Sequence, residues 1–399
     1  MRKCAWCLVV ASFCFGTIAK DMDVTTESTV DVNENNKQYS NQMANNRFDI
    51  AAKKIAGMGF GKNASSEFQK YSEFIGASWD NLYQESLGHI PSWTEKHLRS
   101  FIKQYNTLFY PFGGPDVSYA ISFFPDAKRY ILVGLEPLGN FDRIEKNLKD
   151  PRYYCSVQNA FSTYLKKGYF VTSEMLRQLS EPAAKGGLNL ILLALKKLKF
   201  DILKVSNCSI DTDGNIVNTT SSENINCIKI VCQKNSKKKE IYYVKADLSN
   251  ENRKLSNLTK FVNKFRFSTF IKSSSYALHD GNFTNIRSFI LNETHCVLQD
   301  DTGVPFNFFR ENWDIHIFGT YKKPTLSVFR SYKQKSLSKY YSDNDAKPIP
   351  FPIGYGYAKR TPNLIFTVSL KKKVEEQLKK LRKQLKKSKC SCHKRSSIR

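Results

Sequence analysis

The chain has 399 residues, 41% of them hydrophobic, with 28 Phe, 20 Tyr and a formal net charge of +26. That much apolar and aromatic surface excludes a chain disordered over its whole length and suffices for one large core or two smaller ones. The charge favours anionic partners such as phosphate-rich lipid, polyanionic polysaccharide or nucleic acid, and fits equally a Lys-rich soluble surface.

Residues 1–19, MRKCAWCLVVASFCFGTIA, read as a cleaved signal peptide. Arg2 and Lys3 make the start positive. Cys4 to Gly16 form an apolar run too short for a bilayer, and Ala19 closes a small-residue cleavage pattern. The expected location is periplasmic or secreted. Leu188 to Leu195 and Leu364 to Leu370 are apolar but far too short to span, so no transmembrane domain is expected after cleavage.

Residues 20–66 are polar and rich in Asn, Asp, Thr and Gln, a composition expected to stay disordered. Within them, Gly57-Met58-Gly59-Phe60-Gly61 reads as a flexible linker, because no strand precedes it as a phosphate loop requires. Order is expected from about Glu67, in a single α/β domain over 67–370. Phe68, Tyr71, Ile75 and Leu82 recur at helical intervals. Ser92 and Glu95 form a capping-box pattern ahead of Leu98, Phe101, Ile102 and Tyr105.

Asn106 to Gly139 is the most informative block. Thr107 to Phe112 predicts a strand bent or edged by Pro111, and Gly113-Gly114 a tight turn. A helix is expected from Pro115 to about Phe124, then a buried strand from Tyr130 to Leu135. Strand, helix and strand make a small βαβ unit, although the helix is short for a full crossover and a hairpin-like connection stays open. Further on, Met175 to Leu179 and Leu188 to Leu198 predict helices, and Phe200 to Val205 a strand. Asn207 to Asn226 is a polar excursion. Cys227 to Val231 and Ile241 to Val244 predict a hairpin around a basic loop, Lys237-Lys238-Lys239. Leu255 to Val262 and Phe283 to Ile290 predict helices, and Cys296 to Leu298 a strand. The expected fold is α/β, a mixed or partly parallel sheet flanked by helices, with a disordered N-terminal segment and a basic C-terminal helix.

That last element is the tail, 371–399, with thirteen Lys or Arg against two Glu. Val374, Leu378, Leu381 and Leu385 draw a narrow apolar seam on it. Such a helix can lie on an anionic membrane surface or polyanion, pair with another helix, or stay solvated.

Seven cysteines remain beyond the leader, so at least one thiol is free or pairs between chains. The favoured bridge joins Cys208 to Cys227 or Cys232. Cys227 and Cys232 themselves point to opposite faces of one strand. Cys390, Cys392 and His393 offer only three ligands, so no metal site is expected. Asn-x-Ser/Thr sites occur at Asn63, Asn207, Asn218, Asn257, Asn282 and Asn292.

Ligands in open α/β sheets collect beyond the carboxyl ends of the strands. Gly113 and Gly114 form a candidate anion-binding loop, with Asp116 an alternative cap for the same amides. Glu136 stands where a ribose-binding acid stands in a nucleotide fold, without the full Gly-x-Gly-x-x-Gly spacing. Asp300 and Asp301 can act as acid and base or simply form a turn. His279 is a candidate general base. No motif names a cofactor.

The stretches TLFYPFGGPDVSYAISFFPDAKRYILVGLEPLG, RSFILNETHCVLQDDTGVPFNFF with NWDIHIFGTY, and KPIPFPIGYGYAK give the chain a resemblance to an uncharacterised family of exported bacterial proteins. The resemblance implies a bacterial, periplasmic or secreted setting and carries over no functional residue. Two functional readings follow. One is an exported binding or interaction module for an anionic partner. The other is an exported hydrolase or transferase, which requires at least two of Asp116, Glu136, Asp300 and Asp301 to share a cleft.

Overall fold

A computed structural model describes residues 46–59, 64–168, 184–221, 224–309, 311–353 and 362–375, with positions 177, 179, 377, 378, 381 and 384. The leader, the expected helix at Met175–Leu179 save its single positions, and the end of the tail lie outside the described residues.

The strands are β1 (Thr107–Tyr110), β2 (Arg129–Gly134), β3 (Asp201–Ile210), β4 (Ile216–Asn218), β5 (Cys227–Lys234), β6 (Lys237–Lys245), β7 (Phe267–Ile271), β8 (Cys296–Gln299), β9 (Trp313–Gly319) and β10 (Asn363–Ser369). They form one mixed sheet of order β4-β3-β5-β6-β2-β1-β7-β8-β10-β9. β6, β2, β1, β7 and β8 run parallel, with each neighbouring pair in register. β5 pairs antiparallel with β6 and β3, and β10 is antiparallel to both β8 and β9. β1, β7, β8 and β10 are buried along their whole length, as parallel sheets covered on both faces require.

Helices cover both faces. The first face carries α1 (Arg47–Ile55), α2 (Ser66–Leu82), α3 (Ile90–His97), α4 (Arg99–Ile102), α5 (Val117–Phe123), α6 (Phe141–Asn147), α7 (Pro151–Lys167) and α8 (Leu188–Lys197). α9 (Leu255–Asn263) and α10 (Thr284–Glu293) cover the opposite face of β1, β2 and β7, and α11 (Lys335–Asp343) packs Leu337 against Ile365 of β10. The connection from β1 to β2 therefore runs over one face and that from β7 to β8 over the other. This puts a topological switch point between β1 and β7. The βαβ reading of 107–134 holds: β1 and β2 are parallel, joined through the seven-residue α5.

Several boundaries differ from the sequence reading. A helix stands ahead of Glu67, where a disordered segment was expected. Asn46 caps α1 and donates to Ile202 O and Leu203 O, both at 3.1 Å. Asp49 is buried against Lys196 Nζ at 2.7 Å and accepts from Ile202 N. A polar sequence folds here because its charges are paired to β3 and α8. The Ser92 capping box does not form: α3 begins at Ile90 with Pro91 in its first turn, Ser92 Oγ donates to His89 O, and Glu95 binds Arg99. β1 stops at Tyr110 inside the sheet, so Pro111 ends a central strand and not an edge. β3 continues to Ile210 and β4 pairs back onto it, where a polar excursion was expected, because half-exposed strands tolerate polar residues on one face. Lys237–Lys239 belong to β6. The hairpin turn is Asn235-Ser236, with φ of 49° and 61°, the left-handed pair of a two-residue turn. Cys227 and Cys232 do face opposite sides of β5, in separate cores.

Candidate functional site

Because β1, β2, β7 and β8 are parallel, the short segments after them gather along one edge of the sheet. β1 leads into Gly113-Gly114-Pro115-Asp116, β2 into Leu135-Glu136, β7 into Lys272-Ser273, and β8 into Asp300-Asp301.

Asp116 and Lys272 form the buried hub of this edge. Both side chains are almost wholly enclosed, and Lys272 Nζ lies 3.5 Å from Asp116 Oδ2. Tyr110 OH donates to Oδ2 at 3.1 Å, Tyr164 OH to Oδ1 at 2.9 Å and Tyr119 N to Oδ1 at 3.3 Å. Burial, then the Asp116 charge, raises both phenols well above their ordinary range, which keeps them as donors. Lys272 Nζ also donates to Gly168 O at 2.6 Å and sits 4.2 Å from the centre of the Tyr119 ring. Burial lowers its pKa, while Asp116 and then Asp300 oppose that shift. Asp116 pairs with this ammonium directly, and Asp300, from the end of another strand, acts on it through its charge alone. Lys272 escaped the sequence reading. Its signal was a single Lys after the short stretch Phe267–Ile271, whose Ser268 and Thr269 blur the strand, and a Lys in that place usually marks a solvated strand end.

Glu136 is 4% exposed, and its Oε2 has no hydrogen-bond partner. Burial raises its carboxyl above the ordinary range, with the backbone amides of Glu136 and Leu135 opposing. It lies against the glycine turn: a Cβ on Gly114 would stand 3.2 Å from Oε2, and one on Gly134 only 2.2 Å away. The glycines therefore leave the room that the carboxylate occupies. Tyr243 of β6, beside β2, has a buried hydroxyl that is also unpartnered. Its pKa is raised by burial and then by Glu136.

The Gly113–Gly114 loop has little left for an anion. Gly114 N donates to Val133 O, Asp116 N to Gly113 O, and Val117 N to Pro115 O, while Tyr119 N is taken by Asp116. Asp116 fills the role of cap that the sequence offered as the alternative.

Asp300 accepts from Ser273 N at 2.8 Å and Thr302 N at 3.0 Å, and also from the Thr302 hydroxyl. Burial, then the neighbouring Asp301, pushes its pKa up to about 6. Asp301 turns elsewhere. It accepts from Tyr276 OH at 2.7 Å and Asn363 Nδ2 at 2.9 Å, tying the turn after β8 to β10. His279 packs against Tyr276 and Tyr332, and burial, then Arg287, drives its pKa down to about 4. It is neutral at pH 7. Among the described residues no group of three metal-ligating side chains occurs, and no helix is long and apolar enough to cross a membrane.

Comparison with family models, with curated proteins and with solved structures finds no match to this chain. The resemblance to exported bacterial proteins therefore rests on the quoted stretches alone.

Proposed function

We propose that the protein binds a nucleoside-bearing small molecule at the carboxyl ends of β1 and β2. The parallel strands, counted in chain order, lie 3-2-1-4-5 across the sheet, the order of the first five strands in doubly wound nucleotide-binding folds. In such folds an acid about 20 residues beyond the glycine turn takes the ribose hydroxyls. The observation that carries the reading is Glu136, buried at that place with one carboxylate oxygen unpartnered. A buried acceptor without a donor is costly, and a vicinal diol offers two donors.

The same geometry argues against a phosphate on the glycine turn, since the Gly114, Asp116, Val117 and Tyr119 amides already have acceptors and Asp116 carries the wrong charge. The ligand class is thus a nucleoside whose substituent is neutral or cationic. In the cytoplasm S-adenosylmethionine fits that description and supplies an activated methyl group, consistent with a transferase. Outside the cytoplasm a free nucleoside fits it. Calorimetry with adenosine, S-adenosylhomocysteine and NAD+ tests the reading. Either of the first two should bind more tightly than NAD+, and Glu136→Gln should weaken that binding about tenfold, the worth of one charge-assisted hydrogen bond. Failure of all nucleosides to bind, or an unchanged affinity in the variant, rules it out.

A second reading concerns place. The leader supports export, and the tail supports contact with an anionic surface. Val374, Leu378 and Leu381 are about half exposed on the tail, which leaves the apolar seam open beside its lysines. Vesicles rich in phosphatidylglycerol should sediment the full chain and not a chain lacking 371–399. Equal sedimentation of both removes the tail's role. An intact leader on protein recovered from the cytosol of native cells removes export.

A further inference from the structure

Cys208 and Cys227 face each other across β3 and β5 as a direct antiparallel pair. Both are fully buried in the same core. Directly opposed residues of such a pair have Cα atoms about 4.5–5.5 Å apart, inside the roughly 4.4–6.8 Å that a disulfide bridges. The other described cysteines are differently placed. Cys232 faces the opposite core, Cys155 is exposed on α7, and Cys296 lies on β8.

The two thiols are also hydrogen-bonded to each other. That bond lowers the Cys208 thiol first of all, and Lys229 helps through its backbone amide and its charge. Burial pushes the Cys227 thiol up. Cys208 is therefore the better thiolate and Cys227 the resolving partner.

We infer that Cys208 and Cys227 are a disulfide site, closed by thiol–disulfide exchange to staple β3 to β5. The Cys208 thiolate attacks a low-molecular-weight disulfide and releases one thiol. Cys227 then gives up its proton, attacks the Cys208 sulfur and releases the second. The protein loses two protons and two electrons, and the external disulfide takes them up to become two thiols. Because both sulfurs are sealed in the core, exchange belongs to folding or to opening of the β3–β4 edge.

The test is to refold the full chain with glutathione disulfide present, then alkylate under denaturing conditions and digest. The expected product is one peptide pair joining the Cys208 and Cys227 fragments, with the protein lighter by the mass of two hydrogens. Cys208→Ser and Cys227→Ser should each abolish that pair. The oxidised form should melt about 5 °C above the reduced one, from the closed 20-residue loop. Full alkylation of both cysteines after oxidative refolding overturns the inference, as does a pair that includes Cys155 or Cys232 instead.

Discussion

Lys272→Met is expected to lower stability by about 3 kcal/mol, measured as the shift of the urea unfolding free energy. The substitution keeps the aliphatic stem and removes the ammonium. Asp116 would then hold a buried negative charge with only the two phenols and one amide to offset it. Gly168 O would also lose its donor. Breaking a buried ion pair on one side costs about 3–5 kcal/mol, and the three donors that remain on Asp116 place the expected loss at the lower end. Removing both charges together, in Lys272→Met with Asp116→Asn, should recover most of the loss, because no uncompensated ion is left. A single variant that loses less than about 1 kcal/mol, the range of surface pairs, would show that the pair does not organise this edge of the sheet.

Stability is also expected to contain a component that falls as pH rises from about 4 to about 6. Burial and Asp301 raise the Asp300 carboxyl from its ordinary 3.8 to about 6. Between those values the folded chain holds a proton that the unfolded chain has released, so protons favour the fold there. The component is fully present below the unfolded pKa and is lost as pH climbs through the folded one. A shift of that size corresponds to about 3 kcal/mol. Glu136, also raised by burial, adds with the same sign. Asp300→Asn removes the titration. The difference in unfolding free energy between the two chains, followed from pH 4 to pH 7, isolates it from every other carboxyl. Parallel profiles over that range would remove Asp300 as the source.

The parts of the fold that were legible carried their own punctuation. Between Thr107 and Gly134 the glycine pair, Pro115 and the Pro125-Asp126 break delimit strand, helix and strand, and the apolar run from Tyr130 announces a strand buried on both faces. Leu188 to Leu198 read as a buried helix because its apolar start is nearly continuous, and the helix runs over Leu188–Lys197. What was missed depended on partners distant in sequence. α1 looked disordered because Asp49 and Asn46 are polar, and only Lys196 and β3 explain their burial. The candidate site was legible to the same degree. Asp116, Glu136 and Asp300 were found as acids at strand ends. The link between Asp116 and the β7 end was not, since Lys272 reaches Asp116 only because β7 lies beside β1, and β7 was not recognised as a strand. Asp301 and His279 sit near the edge in sequence but point into structural contacts.

The position of β10 has a kinetic consequence. It is made after β9, yet it lies between β8 and β9 and is the strand that holds β9 in the sheet. Until residue 369 is available, β9 is held only by its single bridge to Lys347 and β8 offers an open, largely apolar edge. Pairings of such long sequence separation form slowly, so the sheet stays unfinished until β10 has been synthesised. A sheet completed this late leaves unpaired strand edges exposed in the interim, the surfaces most prone to wrong pairing.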